Sequence, residues 1–82
     1  MSLIFSLLEK VAKERYDREC AEVRIAELKE QKVEIIGDAF LQSYHERMRL
    51  CQIRKKKVEV EFHTLQIEYL IDQVKKMRAA AA

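Results

Sequence analysis

Gly37 is the only glycine in this 82-residue chain, and there is no proline. Backbone chemistry therefore offers one natural place for a helix to break. Glycine adopts the left-handed conformation that commonly closes a helix, and an aspartate behind it is a favoured cap for the next one. The stretch Ile35-Ile36-Gly37-Asp38 accordingly reads as a stop followed by a start. The expected fold is all-α and a single domain: a helix over about 3–36, a break near 37–43 and a helix over about 44–78, folded back as an antiparallel, coiled-coil-like hairpin. The competing architecture is one continuous long helix in a coiled coil, because a glycine inside a helix costs only about 1 kcal/mol relative to alanine.

Composition says what such a hairpin needs. Apolar residues make up 49% of the chain and charged residues 37%, a balance suited to packed, solvated helices and too apolar for an ordinary disordered chain. At this size one core supplies only about 3 to 5 kcal/mol, and small folds lean on staples or partners. Cys20 and Cys51 are too few for a disulfide framework. The apolar run Leu3 to Leu8 is short and lacks a preceding basic residue, so it does not read as a secretory signal, and a cytoplasmic location is expected. The longest apolar runs fall well short of the ~20 residues of a membrane span.

The helix starts have two candidates each. Ser6-Leu7-Leu8-Glu9 matches a capping box, while Ser2 would start the first helix earlier and draw Leu3, Ile4 and Phe5 into its first turn. Ser43-Tyr44-His45-Glu46 is a second such match, which places the start of the second helix between Asp38 and Ser43. The final Ala79-Ala80-Ala81-Ala82 has high helix propensity and resembles a cloning scar.

Placed at about 100° per residue, the apolar side chains fall on two stripes per helix rather than one. In the first helix Leu8, Val11, Ala12, Tyr16, Val23, Ala26 and Val33 share one sector, and Ala21, Ile25, Leu28 and Ile35 the other. In the second, Ile53, Val60, Ile67 and Val74 recur every seven residues with Ile71 beside them, nearly opposite Val58, Phe62, Leu65 and Tyr69. A hairpin buries one stripe of each helix and leaves the other, and a large exposed apolar face usually marks an interaction surface. The expected function is thus a non-enzymatic protein–protein interaction module, an assembly subunit or small chaperone. Its partner would be a second copy or another helical protein, with contacts at Val11, Ile25, Leu28, Ile53, Val60, Ile67, Ile71 and Val74. The opposing reading is one wide face covered internally.

One local pattern points elsewhere. Val58 to Phe62 and Leu65 to Tyr69 alternate as strands do, but His63-Thr64 between them lacks the glycine or asparagine of a tight hairpin turn.

Charge is concentrated in Arg47, Arg49, Arg54, Lys55, Lys56 and Lys57. These residues are the candidates for phosphate or acidic-surface contact, and a nucleic-acid-binding bundle is the alternative function. No aromatic platform is interleaved among them. A register role is the plainer expectation, since folding near Gly37 sets 47–57 beside Asp17, Glu19, Glu22 and Glu27.

Little else carries chemistry. Glu59 and His63 are four apart and would share a helix face, but two groups do not make a metal site. Cys20 and Cys51 do not form a Cys-x-x-Cys pair; they read as small buried hydrophobes, and a bend near Ile35-Ile36 would bring them within about a turn of each other. No catalytic residue, cofactor, metal or small-molecule substrate is expected.

Overall fold

The computed structural model describes residues 2–81; Met1 and Ala82, the last alanine of the tail, lie outside them. Helix α1 spans Leu3–Glu30 and α2 spans Ala39–Ala81, 28 and 43 residues, joined by a connection over 31–38. The two run antiparallel along one seam, giving a rod of 69 × 15 × 14 Å. The chain is an all-α helical hairpin, and the alternating run from Val58 to Tyr69 lies inside α2.

Of the two candidate starts for α1, the earlier one is used. The Ser2 hydroxyl accepts from the Ile4 amide at 3.2 Å, and the Ser6 amide donates to the Ser2 carbonyl, so Ser6 lies within the first turns instead of capping them. At the other end α1 stops at Glu30, six residues before the expected boundary. Gly37 does not close it: that glycine lies in the connection with φ +88°, just before α2.

Side chains from α2 account for the early stop. Arg49 donates to the carbonyls of Leu28, Lys29 and Gln31 at 3.3, 3.2 and 2.8 Å, groups that a helix end leaves without partners. Gln42 accepts from the Ile35 amide at 2.7 Å and donates to the Val33 carbonyl at 2.8 Å. The connection thus gains partners outside a helix, and its β-branched Val33, Ile35 and Ile36 have little to lose by leaving one. Asp38 then caps α2, its carboxylate accepting from the Leu41 amide at 2.9 Å, so α2 begins at the early edge of the expected window and Ser43 is interior.

The seam is a heptad pattern. Ile4, Leu7, Val11, Glu14, Arg18, Ala21, Ile25 and Leu28 follow one another at alternating steps of three and four, as do Arg49, Ile53, Lys56, Val60, His63, Ile67, Leu70, Val74 and Met77. Every one of these is buried or half-buried. Val11, Ile67 and Leu70 form a cluster of buried apolar side chains, with Leu7 and Ile71 packed against it. Leu28, 1% exposed, anchors the end nearest the connection.

Val11 therefore packs in the same row as Ala21, Ile25 and Leu28, not on the opposite stripe. A regular α-helix drifts about 20° per heptad from a seam of period 3.5. Over the two heptads from Val11 to Ile25 that amounts to roughly 40°, enough to place one row in two sectors.

Candidate interaction surface

The eight residues expected at a partner interface are used within the hairpin. Val11, Leu28, Ile53, Ile67 and Val74 are buried between α1 and α2, and Ile25, Val60 and Ile71 are half-buried there. The apolar face left exposed is a different one.

That face is the back of α2. Tyr44, Met48, Cys51, Lys55, Val58, Phe62, Leu65 and Tyr69 succeed one another at steps of four and three, a second heptad row on the side away from the seam. Seven of the eight are apolar or aromatic and all are exposed, Leu65 by 65% and Tyr69 by 61%. The C-terminal half of this row stood out in the sequence as the Val58 to Tyr69 stripe. Its N-terminal half did not, because Lys55 interrupts it and Cys51 is easily taken for a core residue. Both cysteines are in fact free and exposed.

On α1 the exposed large apolar groups are Leu3, Phe5, Leu8, Tyr16 and Val23. Tyr16 and Val23 bound a shallow apolar patch with Cys20 and Glu19. The Tyr16 hydroxyl is held above its ordinary pKa, chiefly by its hydrogen bond with Cys20. Near the end of α2, Lys76 is likewise raised, by the Asp72 carboxylate 2.9 Å away.

The six cations divide into two kinds. Arg49 is consumed in ending α1, and Lys56, half-buried in the seam, pairs with Glu59 at 3.0 Å. Arg47, Arg54, Lys55 and Lys57 are exposed, and among the described residues none of these four forms an ion pair. The expected pairing with Asp17, Glu19, Glu22 and Glu27 is absent among the described residues: Glu27 pairs with Arg24 of its own helix at 3.1 Å.

A polar waist interrupts the seam at mid-length. His63 meets Glu14 across the helices through its Nδ1, and not Glu59 on its own helix. Arg18 donates to the Thr64 hydroxyl at 3.4 Å, and that hydroxyl donates to the Val60 carbonyl at 2.8 Å. Asp17 lies close enough that one ligand atom each from Glu14, Asp17 and His63 falls within 4.8 Å of the others. A structural zinc site takes four protein donors and a catalytic one three with a water. Here three side chains converge, and two of them, Glu14 and His63, are hydrogen-bonded to each other. No buried side-chain nitrogen or oxygen lacks a partner among the described residues.

Comparison of the chain with protein-family models, with curated proteins and with solved structures finds no match. Among the described residues, no helix is long and apolar enough to cross a membrane.

Proposed function

We propose that the chain is a non-enzymatic helical interaction module, an assembly subunit whose working surface is the back of α2. The observation that carries this reading is the heptad row from Tyr44 to Tyr69, exposed along its length on the side away from the hairpin's own seam. Scattered surface apolar residues are ordinary, but a row that keeps coiled-coil spacing over nearly four heptads has the form of a second seam. The partner is an apolar-striped helix, supplied by this chain or by another.

The decisive variant is Leu65→Asp. Leu65 is in the middle of the outer row and makes no part of the hairpin core, so circular dichroism should be unchanged while self-association, read by light scattering, falls away. Loss of helix in this variant would overturn the reading by showing that the row is internal core. So would a wild-type chain that stays monomeric at millimolar concentration and binds no apolar dye.

The nucleic-acid reading has less to stand on, because Arg49 and Lys56 are committed within the hairpin.

A further inference from the structure

The outer row of α2 is flanked on one side by four exposed residues seven apart: Arg47, Arg54, Glu61 and Glu68. The first two are basic and the last two acidic, and none of the four is in an ion pair among the described residues. A flanking row in which charge changes sign halfway is self-complementary under one operation, a two-fold rotation that reverses the helix direction.

We infer that the occupant of the outer face is a second copy of this chain, its α2 packed antiparallel on the first in a fixed register. This rests on the interaction-module reading and deepens it. Pairing Cys51 with Phe62 of the other copy also pairs Met48 with Leu65, Tyr44 with Tyr69 and Lys55 with Val58, so every apolar residue of the row except Val58 meets another apolar residue. In an antiparallel coiled coil the flanking positions then meet like with like, and the same register sets Arg47 against Glu68 and Arg54 against Glu61. The two-fold axis doubles these to four intermolecular pairs.

The other flank agrees. Its residues His45, Gln52, Glu59 and Gln66 meet as His45 with Gln66 and Gln52 with Glu59, without a like-charge contact. Sliding one copy by a heptad towards the connection brings Arg54 against Arg54; sliding it the other way sets Glu61 against Glu61. A parallel, in-register pair would stack Lys55 on Lys55 inside the apolar row. Lys55 opposite Val58 has only to lay its methylenes along the seam and carry its ammonium to the edge. The contact would extend roughly 40 Å along α2.

Two experiments decide it. In the first, Arg47→Glu with Arg54→Glu makes the flanking row wholly acidic, and Glu61→Arg with Glu68→Arg makes it wholly basic. Each double variant should dimerise at least about tenfold more weakly than wild type in low salt. Their equimolar mixture, and the quadruple variant that exchanges all four signs, should recover wild-type dimerisation. Double variants that dimerise as well as wild type would overturn the proposal, and circular dichroism on each confirms that the hairpin is folded.

The second fixes direction. In a Cys20→Ser background, copper–phenanthroline should leave Cys51 uncrosslinked, because two Cys51 thiols in this register are offset by 11 residues, roughly 16 Å along the axis. Adding Phe62→Cys should give a covalent dimer, as the introduced thiol faces Cys51 of the other copy. Cross-linking through Cys51 alone would show a parallel pair and overturn the antiparallel register. A dimer that cross-links in neither variant, or a monomeric wild type, would also overturn it. The charge-reversal and cross-linking results leave the interaction-module reading to its own test, Leu65→Asp, and a monomeric wild type leaves it to apolar-dye binding.

Discussion

The guanidinium of Arg49 donates to the carbonyl of Leu28 at 3.3 Å, and through the same nitrogen to those of Lys29 and Gln31, so a residue of α2 ends α1. Leu28 is also the most buried side chain of the hairpin. Cap and core anchor thus act at one point of the rod.

Arg49→Ala should lower stability by about 1.5 to 3 kcal/mol, the range for hydrogen bonds that involve a charged group. The loss should be local as well as global. Hydrogen exchange should accelerate in the last turn of α1 and the connection before it does near Val11, and urea unfolding gives the total.

Gly37→Ala tests the connection without disturbing packing. A Cβ at this position would meet nothing within 4 Å, so the only penalty is the left-handed backbone at φ +88°. Alanine should cost about 1 kcal/mol, and Gly37→Asn less, since asparagine tolerates that conformation better. Thermal denaturation of the two variants side by side gives the comparison.

The waist predicts a double-mutant cycle. His63→Leu alone leaves the half-buried Glu14 carboxylate without its partner and should destabilise by about 1 kcal/mol or more. Glu14→Leu with His63→Leu together should be close to neutral or stabilising, because a well-packed apolar pair commonly replaces a buried polar one without loss. Urea midpoints for the four proteins give the coupling directly.

Ile67→Asp contrasts with Leu65→Asp two residues away. Ile67 is 5% exposed and belongs to the core cluster, so a carboxylate there should unfold the hairpin and abolish the helical signal at any protein concentration. Circular dichroism across a dilution series separates this from a loss of association.

The hairpin was legible in the sequence from Gly37 and Asp38, and the seven-residue recurrence of Ile53, Val60, Ile67 and Val74 does lie along its seam. The end of α1 was not legible. It depends on Arg49 and Gln42, which reach back 21 and 7 residues to the carbonyl of Leu28 and the amide of Ile35, and no local propensity records that. Arg49 drew attention only as part of a basic run.

Which stripe faces inward was obscured for two reasons. The inner row carries Glu14, Arg18, Lys56 and His63 at its middle, so apolar residues alone do not trace it. A step of 100° then moves Val11 away from Ile25, although the seam holds them in line. Read at period 3.5 with charged positions allowed, the inner rows on both helices and the outer row on α2 emerge from the sequence without coordinates. The cross-helix choice of Glu14 over Glu59 as the partner of His63 needs the fold.

The grip of Gln42 and Arg49 on the chain just before them also bears on how the hairpin is reached. The Gln42 bonds to Ile35 and Val33 close loops of only 7 and 9 residues, and loops of about that size close in roughly 10 to 100 ns. Each later contact between α1 and α2 lies one step farther along two strips already held at one end, so ordering that spread outward from the connection would cost little for each new closure. A heptad row keeps its spacing when slid by seven residues, but such a slid pairing would part His63 from Glu14, and with growth from a fixed origin it would also have to undo the first contacts made before it could compete.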